Sequence, residues 1–168
     1  MDKITEPAKL KAATTYNAPA DHFDDGPLAF WDRYGRETIE RLRLKPGSIV
    51  LDVGCGSGAS AIPAAKAVGP HGRVIGADLA ERLLVMAQAK ADAQKLTNAT
   101  FRQADIENLG YSDDSFDAVV CVFAIFFVPT WSSRSVNCGA WCGLAANSRS
   151  RPGDPACSSR ALPPGGLP

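Results

Sequence analysis

Residues 50–60 read VLDVGCGSGAS, and the fold follows from them. With Ser48 and Ile49 they close a short apolar run, SIVLDVG (48–54), rich in β-branched residues. Such a run has the texture of a strand buried on both faces. Gly54, Gly56 and Gly58 then fall at alternate positions. Glycines admit positive φ and let a ligand approach the backbone closely. ASAIPAAKAV (59–68) follows as a helix, whose first turn leaves N–H groups unpaired. Pro63 is compatible with that helix only near its start, where no hydrogen bond is lost. Strand, glycine turn and helix together describe a nucleotide-type site at the carboxyl end of a strand. The same residues also describe a tight strand-to-helix turn with no ligand.

Working outward, LAFWDRYGRETIERLRL (28–44) carries Leu28, Trp31, Tyr34, Ile39 and Leu42 at helical spacing, and KPG (45–47) ends it. Downstream, RVIGAD (73–78) is a second strand and LAERLLVMAQAKADAQKL (79–96) a helix of good formers. Its apolar side holds Leu83, Leu84, Met86 and Ala87. ATFRQAD (99–105) is a third strand, and SFDAVVCVFAIFFV (115–128) holds a fourth. Alternating strands and helices predict an α/β, Rossmann-like parallel sheet with helices on both faces. Three zones result: an N-terminal lid segment (1–26), the patterned core (27–130) and an irregular tail (131–168).

Lysine plus arginine balance aspartate plus glutamate, 18 against 18, which argues against nucleic acid or a membrane surface held by bulk charge. A small neutral or zwitterionic substrate suits the chain better. No apolar run approaches the roughly 18 residues of a spanning helix, and the N-terminus lacks the apolar segment of a signal peptide. The expectation is a soluble cytoplasmic protein. Cys55, Cys121, Cys138, Cys142 and Cys157 show no disulfide spacing, and no histidine or second cysteine pair completes a metal site around Cys138 and Cys142.

Two acids raise the odds of a ligand. Asp78 ends the second strand and can accept two hydrogen bonds from ribose hydroxyls. It can also cap the helix that follows. Asp105 ends the third strand, where it can flank a base or serve as a turn residue.

VLDVGCGSG, then VIGADLAERLLVMAQAKA, then ATFRQADIENLGYSDDSFDAVVCVFA resemble, in order and at the right distances, the motifs of class I S-adenosylmethionine-dependent methyltransferases. The branch most resembled contains the ubiquinone and menaquinone methyltransferases, and the resemblance spans about 27–129. It implies S-adenosylmethionine as cofactor, a small-molecule methyl acceptor and no metal. Gly54, Cys55, Gly56 and Gly58 would pass under the methionine part, and Asp52 would anchor its ammonium, directly or through water. Asp78 would hold the ribose, Leu79 would pack on the adenine, and Asp105 would accept from its amino group with Ile106 beside it. Cys121 to Phe123 would lie next to the sulfonium. Tyr16, Phe23, Phe30 and Trp31 are candidates for a lid or for ordinary core. A sulfonium methyl is already activated, so the protein mainly positions the acceptor. His22 is the one candidate base; His71, in a GPHG turn, reads as structural.

The family sheet has seven strands, so strands five to seven are expected to be missing. The fourth would then be an apolar edge inviting self-association. From Pro129 on, joining the third base of each codon to the next two permits a helix, a Pro-Gly-Gly turn and an apolar strand, once the free wobble bases are chosen to suit. That predicts loss of one base near this codon, and sequencing the gene across it is the check. An inactive fragment or cofactor-binding pseudoenzyme stays open as an alternative, as does a nucleotide-dependent oxidoreductase, although the latter expects G-x-G-x-x-G.

Overall fold

The computed structural model describes residues 6–26, 30–112, 115–124 and 146–147. Four parallel strands form its centre: β1 (Ile49–Val53), β2 (Arg73–Asp78), β3 (Ala99–Gln103) and β4 (Ala118–Val120). A two-residue β5 (Ala146–Asn147) completes the order β3-β2-β1-β4-β5. β1 is the central strand, with Asp52 opposite Gly76 of β2 and Val120 of β4. Every side chain from Val50 to Val53 is buried, which is why this run is uniformly apolar apart from Asp52.

The helices are α1 (Pro7–Asn17), α2 (Phe30–Leu42), α3 (Ala61–Val68) and α4 (Glu81–Ala93). Pro63 is the third residue of α3, inside the first turn, so its missing N–H breaks no ladder. β1 presents Val50 and Asp52 to one face and Leu51 and Val53 to the other. Val50, Val74 and Val120 pack with Ile39 of α2, Ala61 and Ala65 of α3, and Leu84 and Ala91 of α4. Leu51, Val53, Ala77 and Val119 pack with Leu109 and Phe116, which come from the stretch between β3 and β4. Among the described residues, then, helices cover one face and this stretch covers the other.

Two details refine the expectations at β4. The apolar run from 118 does not continue as strand past Val120, because the chain turns at 121–124 and Phe123 takes φ 69°. The outer edge, expected to be unpaired, carries β5 antiparallel, with Ala118 opposite Asn147 and Val119 opposite Ala146. The rest of the expected tail, and 125–128 of the expected fourth strand, lie outside the described residues. Leu28, expected to open the helix that is α2 here, does too, and α1 was not expected at all.

Gly35 fixes how closely α2 approaches the glycine turn. A Cβ there would sit 2.3 Å from the carbonyl oxygen of Ala59. Gly35→Ala should therefore destabilise the fold by about 3 kcal/mol, the upper range for overpacking. A fall in the urea midpoint at unchanged slope would show it; an unshifted midpoint would mean that α2 yields freely.

Candidate functional site

The cleft opens at the carboxyl ends of β1, β2 and β4. Its floor is the turn between β1 and α3, and Gly54, Cys55, Gly56, Ser57, Ala59 and Ser60 all line it. Gly54 has φ 66°, and a Cβ on it would lie 2.1 Å from that of Ala124, so only glycine fits. Gly58 does not line the cleft. It has φ 91°, and a Cβ there would meet Ile62 at 3.1 Å and Ala87 at 3.3 Å, so it brings the turn close against α3 and α4.

The turn's amides are largely spent on the protein itself. Gly54 and Cys55 N–H both donate to the Ala77 carbonyl, and Gly58 N–H donates to that of Cys55. Gly56 N–H donates to Asp78 Oδ2 at 2.8 Å. Asp78 Oδ1 accepts from Ala80 N–H at 2.9 Å, immediately before α4. Asp78 thus ties the glycine turn to the residue that precedes α4; it does not cap that helix, whose start has no side-chain cap. Burial pushes its carboxyl above the ordinary carboxylate range, against the pull of these amides.

Asp52 sits beneath the floor. It is fully buried and does not line the cleft. Its Oδ2 accepts from the Ser60 hydroxyl at 2.6 Å, while its Oδ1 is buried without a partner. Burial first, and then the charge of Asp78, push its carboxyl up to about 7, opposed by Ser60 and the Ala61 amide. Burial likewise pushes the Cys55 thiol far up, so this cysteine is an inert wall residue.

Leu79, Ala104 and Ile106 line one end of the cleft and Val122, Phe123 and Ala124 another. Asp105 and Cys121 do not line it. Asp105 Oδ1 accepts from Glu107 N–H at 3.0 Å, and its Oδ2 pairs with Lys9 Nζ at 2.7 Å. Ala12, Ala13, Tyr16, Phe23 and Trp31 supply the wall facing the sheet. Trp31 stacks nearly parallel to Phe23 and meets Phe123 edge-on at 4.8 Å, while its indole N–H is buried without a partner. Phe30 is turned outward, 39% exposed. His22 is outside the cleft and bonds Asp25 through Nδ1 at 2.8 Å. His71 is exposed in its turn.

Ser57, Ser60, Lys9, Asp24 and Lys90 had no place in the sequence reading. The two serines lie inside the motif, but nothing in its spacing says which way a hydroxyl points. Lys9, Asp24 and Lys90 are distant in sequence from everything they touch. Among the described residues no cluster of histidine, cysteine and acid could hold a metal, and no helix is long and apolar enough to cross a membrane.

Residues 50–137 match the family model described as a methyltransferase domain, which is more than half of the chain. The chain belongs to this family. By ancestry it is a class I S-adenosylmethionine-dependent methyltransferase, and S-adenosylmethionine is the cofactor of its family.

It is 31% identical over 121 residues to aklanonic acid methyltransferase DauC of Streptomyces sp. strain C5, covering 72% of this chain and 55% of that one. It is 38% identical over 115 residues to the demethylmenaquinone methyltransferase of Lactobacillus johnsonii, covering 66% and 47%. The chain therefore spans about half the length of the curated relatives it matches. Magnesium protoporphyrin IX methyltransferase of Synechocystis PCC 6803, solved with S-adenosylhomocysteine, aligns at TM-score 0.55 and 26% identity over 70% of this chain and 59% of that one. The [4+2]-cyclase SpnF aligns at TM-score 0.56 and 22% identity over 70% and 50%, which shows a shared fold alone.

The residues present fit a cationic nucleoside. Among the described residues, Asp78 is the one charged residue lining the cleft, with Asp52 behind the floor and one of its oxygens unpartnered. No lysine or arginine among the described residues lines it.

Proposed function

We propose that the cleft binds S-adenosylmethionine and that the domain transfers its methyl group to a small-molecule acceptor. The observation that carries this reading is electrostatic. A dinucleotide site turns free amides and a helix start toward a pyrophosphate. Here the amides of Gly54, Cys55, Gly56 and Gly58 are engaged and the flanking charges are two acids. That arrangement favours a cation over a pyrophosphate, and so disfavours the oxidoreductase alternative.

In this reading Asp78 holds the ribose hydroxyls with the lone pairs that Gly56 and Ala80 leave free. Gly54, Cys55 and Gly56 carry the methionine part over the turn, while Gly58 acts from outside the lining by holding the turn against α3 and α4. The ammonium meets the Ser60 hydroxyl, with the Asp52 charge behind it. Leu79, Ala104 and Ile106 take the adenine, and Asp105 serves it from outside the lining by holding Lys9. Cys121 backs the wall at which Val122 and Phe123 face the sulfonium. When bound, S-adenosylmethionine would supply an activated methyl for in-line transfer to the acceptor. The domain's own contribution is to orient the two partners and keep water out. Phe123 and Trp31 form an aromatic wall at that end, with ring centroids 4.8 Å apart, and Tyr34, outside the lining, meets Phe123 at 5.6 Å. It suits an acceptor with a flat apolar face. The relatives named for demethylmenaquinone and aklanonic acid make such small molecules the first acceptors to try.

Calorimetric titration with S-adenosylmethionine, S-adenosylhomocysteine and NAD is the test. The expected result is micromolar binding of the first two and none of the third. Methyl transfer to the acceptor panel then separates an enzyme from a cofactor-binding pseudoenzyme. Tight NAD binding, or no nucleoside binding by a cooperatively folded chain, would reject the proposal.

A further inference from the structure

Three side chains from three distant parts of the chain meet beside the cofactor turn. The Ser57 hydroxyl donates to Asp24 Oδ1 at 2.7 Å and accepts from Lys90 Nζ at 3.2 Å. Lys90 and Asp24 close the triangle at 2.7 Å, each less than one-third exposed. Ser57 belongs to the glycine turn, Asp24 to the N-terminal segment and Lys90 to α4. Ser57 is 1% exposed and lines the cleft, whereas Asp24 and Lys90 do not.

We infer that Asp24 and Lys90 are positioning residues for the cofactor turn, acting through the Ser57 hydroxyl. This rests on the cofactor reading above. A glycine-rich turn is the part of the cleft with the least side-chain packing to fix it. Gly56 is secured on one side by Asp78. Its neighbour Ser57 is secured on the other by a hydroxyl that one charge accepts from and another donates to. Charge-assisted bonds in a partly buried setting hold such a group more firmly than neutral ones.

The same triangle ties the N-terminal segment to the turn. Lys9 pairs with Asp105 and Glu107 at the β3 end of the cleft, and Arg82 of α4 bonds Asn17 and Asp21 between the two. The segment whose Ala12, Ala13, Tyr16 and Phe23 wall the cleft is therefore anchored at both ends. Among these anchors, the Asp24 contact is the one that reaches a cleft-lining turn residue.

The inference predicts selective losses. Ser57→Ala, Asp24→Asn and Lys90→Met should each weaken S-adenosylhomocysteine binding about tenfold, the scale of one charge-assisted bond, and speed its dissociation. Binding of 5′-methylthioadenosine, which lacks the amino-acid end lying over the turn, should change less than about twofold on the same reasoning. Because the Ser57 hydroxyl can both donate and accept, the exchanged pair Asp24→Lys with Lys90→Asp should recover most of the loss, whereas either reversal alone should not.

Equal losses for both ligands, or no recovery in the exchanged pair, would reduce the triangle to a merely structural contact and overturn the inference. Ser57→Ala removes one buried hydroxyl and leaves the Asp24–Lys90 pair in place, so it reports even if the charge variants fold poorly. Wild-type binding of both ligands with unaffected variants overturns the inference alone. A wild-type chain that binds neither overturns the cofactor reading, and the inference with it.

Discussion

Asp78→Ala should abolish S-adenosylmethionine binding at accessible concentrations, a loss of at least about 100-fold. Two ribose hydroxyls donating to one carboxylate amount to about 3 kcal/mol or more, since hydrogen bonds to a charged group are worth about 1.5–3 kcal/mol each. The substitution also strips the acceptor from Gly56 N–H and from Ala80 N–H. It therefore loosens the turn as well as removing the ligand contact. Calorimetry on the variant, with its cooperative melting checked separately, measures the loss. Binding within a few-fold of wild type would mean that the ribose is held elsewhere and that Asp78 only ties the turn to the residue before α4.

Asp52→Asn should move stability and cofactor affinity in opposite directions. The carboxyl titrates at about 7 in the fold against an ordinary 3.8. Between these values the folded protein holds a proton that the unfolded chain has released. Its contribution to stability is thus fully present below about pH 4, falls as pH rises toward 7, and is lost above. The difference amounts to a few kcal/mol, on the order of 2–4. Asp52→Asn should raise the melting temperature at pH 7–8 and flatten the pH dependence between about 4 and 7. A smaller slope of the same sign remains, because Asp78 is raised as well. In the wild type, a bound cation beside Ser60 draws the Asp52 proton off, so binding near pH 7 should release protons. Titration in two buffers of different ionisation heat measures them. Unchanged melting in Asp52→Asn, together with no proton release, would show that Asp52 stays ionised and is compensated by another route.

Much of the architecture was legible because it is written in local pattern. The run at 49–53 is apolar on both faces because β1 lies between β2 and β4. Alternation with α3 and α4 then leaves little freedom of topology. The placing of Asp78 beside the glycine turn was legible because it depends on being at a strand end a fixed distance from the glycines. β4 was over-read, since an apolar run looks alike whether it continues as strand or, from Cys121, turns into the cleft wall. β5 had no signal, because a two-residue antiparallel pairing leaves no period to find.

The side-chain partners were another matter. Asp105 was expected at the adenine, but Lys9, 96 positions earlier, takes one of its oxygens. Asp24 had no place in the sequence reading, yet its carboxylate reaches Ser57 and Lys90. In such pairs the identity of each residue is ordinary, and only proximity makes it informative.

The sequence by itself determined the succession of strands and helices, the glycine turn and the acid beside it, because these depend on backbone conformation and on short separations that steric rules govern. Only the tertiary structure decided that Asp52 lies behind Ser60, that the N-terminal segment walls the cleft, and which charges hold it there. Contacts between distant parts of a chain form when apolar faces pack, and linear spacing carries no record of which polar groups that packing brings together.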